Sequence, residues 1–233
     1  MLIGILEVGR LPDELLAEHG DYPTMIAKWL APLDAEYKTF PVLDGVLPGS
    51  PNDCDFWVIP GSRFGVYQDH DWIAPAEEFI RACRDAGKKM IGICFGHQLI
   101  AQALGGTVVK SDKGWGLGVH NYSSVNWPDR LGKAPGTISI QAFHQDQVIA
   151  PPKGAQIVAS SEFCEFAALW YPGFAFTVQG HPEFQSHYAK ELLAIRRGSV
   201  LPEDRVDEAL VDIDDPTTSN ALALFIQDNL DSI

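Results

Sequence analysis

Apolar residues in the first half of the chain fall into two kinds of run. Short blocks read Leu2 to Val8, Glu36 to Val42, Asp55-Phe56-Trp57-Val58-Ile59 and Lys89-Met90-Ile91-Gly92-Ile93, lengths that suit buried strands. Between them, Thr24 to Leu30 sets Met25, Ile26, Trp29 and Leu30 at helical spacing. Pro75 to Ala86 carries Phe79, Ile80 and Ala82 ahead of Gly87, a residue at which helices commonly end. A further helix is predicted over Gln98 to Leu104, closed by Gly105-Gly106. Strands that alternate with helices in this way describe a parallel sheet with crossover helices.

The pattern then changes. From Thr107 to Val178 short alternating runs dominate, among them Thr107 to Val109, Ile138 to Ile140, Ile157 to Ala159 and Phe174 to Val178, and these predict an antiparallel extension of the sheet. A helix is expected from Phe184 to Ile195. Arg196 to Ser219, with Pro202, Asp214, Asp215 and Pro216, reads as a loop, and Asn220 to Leu230 as a last helix. The predicted class is therefore α/β, with a mostly parallel central sheet flanked by helices and an antiparallel addition. Residues 1–195 form the expected domain and 196–233 a C-terminal extension packed on it.

Charge narrows the partners. Seventeen Lys and Arg against thirty-one Asp and Glu give −14, which repels phosphate backbones and anionic lipid, so neither nucleic acid nor a membrane is an expected partner. The apolar start has no preceding basic segment and reads as a strand rather than a signal peptide, and no apolar run approaches the roughly 20 residues needed to cross a bilayer. A cytoplasmic location is expected. Cys54, Cys83, Cys94 and Cys164 are scattered with no C-x-x-C pair, so neither a disulfide framework nor a metal site is expected. His70, His120 and His187 are read as surface or hydrogen-bonded core residues.

Three segments carry candidate chemistry. In Gly92-Ile93-Cys94-Phe95-Gly96-His97-Gln98 a cysteine stands where a buried strand turns into a helix, a sharp bend that small neighbours permit and whose helix N-terminus favours the thiolate. A buried structural cysteine fits Cys94 equally well when it is taken alone. A nucleophile needs a base and the base an orienting group, and Gly180-His181-Pro182-Glu183 offers both after a late strand, although His-x-Glu by itself is more often a surface turn. Pro60-Gly61-Ser62 ends the third strand, where a backbone N–H can face an oxyanion; a plain tight turn explains it otherwise.

Taken in order with His144-Gln145-Asp146 and Ala103-Leu104-Gly105-Gly106, these segments resemble the class I glutamine amidotransferases, a flavodoxin-like architecture, and among them stand-alone domains similar to the glutaminase part of GMP synthetase. The resemblance spans Leu2 to Ala194. It implies that Cys94 is the nucleophile that forms a γ-glutamyl thioester, His181 the base and Glu183 its orienter. It further implies that Gly61 and Phe95 donate to the oxyanion, and that Ser62, Gln98 and the loop His144, Gln145 and Asp146 hold the substrate. No cofactor is implied.

Two departures from the family pattern bear on the pocket. Phe95 replaces the Tyr or Leu common after the nucleophile, which is harmless where only a backbone amide is used. Gly180 precedes the histidine where a larger residue is usual, and is expected to open space beside the base. Lys113 to Gly118 reads as a glycine-rich hairpin. The implied activity is hydrolysis of the glutamine side-chain amide, with ammonia passed to a separate synthase subunit. A γ-glutamyl peptidase acting on other γ-glutamyl amides is the alternative. A non-catalytic binding module is a third reading, disfavoured because nucleophile, base and orienter are all present.

Overall fold

In the computed structural model, which describes residues 1–233, the short apolar blocks pair as parallel strands. β1 (Leu2–Leu6) lies between β2 (Glu36–Phe40) and β3 (Phe56–Ile59), and β3 pairs with β4 (Lys89–Ile93). Two helices, α1 (Asp13–His19) and α2 (Tyr22–Trp29), connect β1 to β2, while α3 (Ile73–Asp85) connects β3 to β4. α4 (Phe95–Ala103) follows β4 directly and leads to β5 (Thr107–Lys110).

The remaining strands are β6 (Gly116–Ser124), β7 (Thr137–His144), β8 (Asp146–Ala150), β9 (Gln156–Ser160), β10 (Ala168–Tyr171) and β11 (Ala175–Val178). Nine strands form one sheet in the order β2-β1-β3-β4-β11-β10-β9-β6-β7, and β5 pairs with β8 outside it. β11 joins β4 in parallel; from β11 to β7 every pairing is antiparallel. This is the α/β sheet with an antiparallel extension that the sequence pattern predicts. The extension also curls back on itself. Its outermost strand, β7, accepts a hydrogen bond from the His181 amide at the Gln141 carbonyl, 2.7 Å, so the last strand of the order meets the chain leaving β11.

Alternation along each central strand explains why both faces are covered. Ile3, Ile5, Phe56, Val58, Ile91, Ile93, Phe176 and Val178 enter one core with Ile26 and Trp29 of α2. Leu6, Trp57, Ile59, Met90 and Ala175 enter the other with Phe79 and Ile80 of α3 and Leu99 and Ile100 of α4. Successive strand residues point to opposite faces, so a doubly covered sheet needs apolar residues at every position, which is how these blocks read.

Four elements depart from the expectation. β5, expected in the antiparallel extension of the sheet, pairs only with β8 in a separate two-stranded sheet. α4 begins at Phe95, immediately after Cys94, rather than at Gln98. α1 occupies Asp13–His19, a stretch assigned no element from the sequence. The supposed loop after Arg196 contains α6 (Glu203–Asp212), which stands between α5 (Ser186–Arg196) and α7 (Ser219–Asp228). Its acidic residues line the outer side, but Val206, Ala209 and Ile213 recur at helical spacing and are buried with Leu117 of β6 and Leu193 of α5. Leu222, Ala223 and Ile226 of α7 join the core beside α2.

If Glu203–Asp212 is a packed helix, Ile213→Ala should lower stability by about 2–4 kcal/mol in urea unfolding through loss of buried contacts. Val211, which is 87% exposed, should change to Ala within about 0.5 kcal/mol. Equal effects from the two substitutions would return the segment to a solvated loop.

Candidate active site

The site begins with a backbone register. β11 pairs with β4 so that Val178 is level with Ile93, and the Cys94 amide donates to the Val178 carbonyl at 2.9 Å. Both strands therefore stop at the same edge. Cys94 takes φ 50 and ψ −102, a left-handed value that costs a non-glycine residue on the order of 1–3 kcal/mol. The bend forces α4 hard against β3: a Cβ on Gly96 would lie 2.1 Å from the Ile59 carbonyl oxygen. Only glycine fits there, and the thiol is consequently carried to the mouth of the first turn of α4.

His181 leaves the neighbouring strand three residues after Val178. Its Nδ1 shares a 2.7 Å hydrogen bond with Glu183 Oε1, both side chains being buried. The Phe184 ring stacks on the imidazole with centroids 3.9 Å apart and 13° between planes, so the ring is held in orientation from its edge and its face. Burial alone would depress the imidazole. The neighbouring Glu183 and Cys94 outweigh it and push His181 up to about 10, leaving an imidazolium at neutral pH. The Sγ also lies 4.0 Å from the Phe143 carbonyl oxygen. Thiol and imidazole thus open on one cleft and are coupled by charge.

Two backbone amides stand near this bend, Gly61 beside His181 and Phe95 at the head of α4. Neither the Gly61 nor the Phe95 amide donates to a backbone carbonyl, whereas the Gly96 amide is taken by the Pro60 carbonyl at 3.2 Å. A Cβ on Gly61 would lie 2.6 Å from His181 Cε1, so the close approach of the imidazole requires glycine there.

The other expected residues are gathered here. Ser62, Gln98, His144, Gln145 and Asp146 all line a cleft of about 390 Å³ that contains Cys94 and His181. Gln98, however, spends its amide N–H groups on the Asp146 carbonyl at 2.8 Å and on Gln179 Oε1 at 3.2 Å, which pins the loop to α4. His144 is 3% exposed and packs against the rings of His120 and Phe163. Burial and the neighbouring His120 and His181 push its pKa down to about 3, so it is neutral. Asp146 accepts from Tyr67 Oη at 3.1 Å. Gly180 does not open space beside His181: a Cβ there would meet Ile140 Cδ1 at 2.8 Å and the Gln141 carbonyl at 2.9 Å, so its absent side chain admits β7 instead.

Several lining residues were not singled out from the sequence. Tyr22 and Phe143 flank the thiol, and Phe184 and Tyr188 continue the wall behind His181. Trp115, expected in a hairpin or core, stands in the cleft at the start of the β6 hairpin. Arg10, Arg63, Lys110 and Arg196 bring four cations to a cleft in which Asp146 is the one acid. Arg10 is paired with Asp44 and Glu7, while Arg63, Lys110 and Arg196 have no carboxylate within salt-bridge distance. Phe184 alone had a local signal, since it directly follows His181-Pro182-Glu183.

Such a sheet, with its polar residues converging beyond the carboxyl ends of neighbouring parallel strands, is an α/β protein of the kind whose chemistry sits at one sheet edge. The chain belongs to the class I glutamine amidotransferases, whose family model matches residues 21–196. It is 30% identical to a glutamine amidotransferase-like protein of Schizosaccharomyces pombe, over 96% of each chain. It is 33% identical to gamma-glutamyl peptidase 4 of Arabidopsis thaliana, over 74% of this chain and 72% of that one. The crystal structure of a glutamine amidotransferase from Methylobacillus flagellatus shares the fold with a TM-score of 0.80 at 20% identity, covering 98% of this chain and 92% of that one. No helix is long and apolar enough to cross a membrane.

The charge state of His181 is directly measurable. Followed by its ring-proton NMR shifts, His181 should remain protonated through neutrality and titrate only in the alkaline range, near 10. Removing the carboxylate with Glu183→Gln takes away the larger of the two raising charges, so the titration should move to lower pH. A wild-type midpoint close to 6.5 would remove the ion-pair description.

Proposed function

We propose that the protein hydrolyses γ-glutamyl amides through Cys94, with glutamine the simplest substrate. The observation that carries this reading is the buried His181–Glu183 pair, 2.7 Å apart, facing the same cleft as a thiol held at positive φ. The Cys94 thiolate attacks the amide carbon, and the oxygen that gains the electron pair is met by the Gly61 and Phe95 amides. His181 gives its proton to the departing nitrogen, the C–N bond breaks, and a γ-glutamyl thioester remains. Water then loses a proton to His181 and attacks the thioester carbon. The C–S bond breaks, releasing the glutamyl acid and restoring the ion pair. With glutamine the leaving group is ammonia, which in this reading serves a separate synthase subunit docked at the cleft mouth.

Cys94→Ala should lower turnover of glutamine or a γ-glutamyl anilide by at least about 10⁴-fold, and Glu183→Gln by less, since an orienter contributes less than a nucleophile. Gly61→Ala should lower kcat by about 10²–10³-fold, because the new methyl displaces His181 and crowds a donor. Turnover that survives Cys94→Ala, or wild-type protein inert toward every γ-glutamyl amide, would end this assignment.

A second reading concerns what is attached to the γ-glutamyl group. Arg63, Lys110 and Arg196 stand without carboxylate partners in the cleft of a chain whose net charge is −14. Cations left without partners attract anions, and glutamine alone supplies one carboxylate. This favours γ-glutamyl peptides whose leaving amine carries a further carboxylate, the substrate class named for the Arabidopsis relative. Arg63→Gln and Arg196→Gln should each reduce kcat/KM for γ-glutamylglycine by about tenfold, the effect of one charge-assisted hydrogen bond, while glutamine changes little. Equal losses on both substrates would place these cations around the γ-glutamyl group itself.

A further inference from the structure

Outside the catalytic cleft, two histidines and two glutamates from different helices converge. Glu18 and His19 form the C-terminal end of α1, which Gly20 closes at φ 76. His187 and Glu191 lie one turn apart near the start of α5. His187, read from the sequence as an isolated surface or core histidine, thus has Glu191 as a partner at i+4. His19 Nε2 is 2.7 Å from Glu191 Oε2, His187 Nε2 is 2.6 Å from Glu18 Oε1, and His187 Nε2 is 3.4 Å from Glu191 Oε1. All four candidate donor atoms fall within 4.8 Å of one another.

We propose that these four residues form a binding site for a divalent transition metal of the zinc class, clasping α1 to α5. Three arguments support it. Two imidazoles, neutral when they ligate, and two carboxylates are a borderline donor set of the kind that zinc and its neighbours prefer over calcium or magnesium, and their combined charge of −2 matches the ion. Tetrahedral zinc with bonds of about 2.0–2.2 Å needs donors about 3.4 Å apart, and the observed separations, from 2.6 to at most 4.8 Å, bracket that value. The adjustment required is also available without disturbing the core. His19 is fixed, its side chain 10% exposed and its ring edge-on to Tyr188 at 5.2 Å, whereas the His187 and Glu18 side chains are 62% and 60% exposed and free to close on an ion.

The site has a defined route to the catalytic base. Leu15 of α1 packs with Phe184, Tyr188 and Leu192, and Phe184 is the ring stacked on His181. A metal bridging the two helices holds that wall in place. It touches neither Cys94 nor His181, so its role is structural positioning.

The test uses the full-length chain carrying Cys94→Ala, which removes the thiol that would itself take zinc beside His181. Zinc chloride titrated by calorimetry should bind with a stoichiometry of one. Cobalt in its place should give the intense visible absorption of a tetrahedral centre. At a zinc concentration a hundred times Kd the unfolding midpoint should rise by about 5–10 °C. His187→Gln and Glu191→Gln, introduced singly in that background, should each weaken binding by at least tenfold and diminish the thermal shift, while their unfolding midpoints without metal report whether each variant still folds. The proposal is overturned if the Cys94→Ala protein binds no zinc below about 100 μM, a level at which binding no longer offsets ordinary competition from solvent and buffer. It is equally overturned if one zinc binds and neither substitution weakens it.

Discussion

The level pairing of β4 with β11 is the constraint on which the rest depends. A parallel pair moved by one residue would turn every side chain of one strand to the other face, exchanging Ile91 and Ile93 with Met90 and Gly92 across the sheet. Both faces are buried, so the cores fix the register from two sides: Phe176 and Val178 belong with Ile91 and Ile93, and Ala175 with Met90. Because Val178 and Ile93 are level, Cys94 and the segment Gln179-Gly180-His181 emerge at one edge, joined by the bond from the Cys94 amide to the Val178 carbonyl. Hydrophobic packing thus sets the spacing between thiol and imidazole before either makes a polar contact.

Within that buried region, identical side chains are given opposite charge states. His97 and His144 are both fully enclosed and burial holds each down to about 3. His97 has Thr177 Oγ1 at 2.7 Å as its partner, a neutral group that offers no compensation for an imidazolium. His181 is no less enclosed, yet it is held up to about 10 because Glu183 and Cys94 supply negative charge where water has been excluded. Low permittivity magnifies the attraction as well as the desolvation penalty, and the sign of the result is decided by which partner sits within a few ångströms. The site has one cationic imidazole for that reason, and His97 and His144 are neutral.

How much of this was legible in the sequence depended on whether the causes were local. The parallel core was readable because buried strands must be apolar throughout, and Lys89 to Ile93 has the same bounds in sequence and structure. The bend at Cys94 was readable because close approach at Gly96 demands glycine whatever surrounds it. α6 was not, because its many acidic residues obscure the three apolar positions, Val206, Ala209 and Ile213, that recur at helical spacing. Gly180 was misread for a different reason. Its bareness answers to Ile140 and Gln141, some forty positions earlier in the chain (180 minus 140), and nothing adjacent to it announces β7. The unpaired cations of the cleft and the helix-to-helix meeting of His19 with Glu191 are likewise products of the fold alone.

The contact between β7 and His181 ties the antiparallel extension and the C-terminal helices to the candidate site. Gln141 is 2% exposed and serves two sides at once: its carbonyl accepts from the His181 amide at 2.7 Å, and its Nε2 donates to the Ile213 carbonyl at 3.0 Å, at the end of α6. α6 in turn rests on β6 where Gly118, at φ 81, leaves room for Ala209 and Asp212. A side chain on Gly118 would lift α6, and lifting α6 would strip Gln141 of one bond while leaving it anchored to His181 by the other. The backbone of His181 is therefore held from the parallel sheet through Val178 and from the tail through Gln141. The position of the imidazole is set more by two such anchors than by a tighter fit of its own ring, since a ring can rotate about its side-chain bonds but not away from a backbone held on both sides.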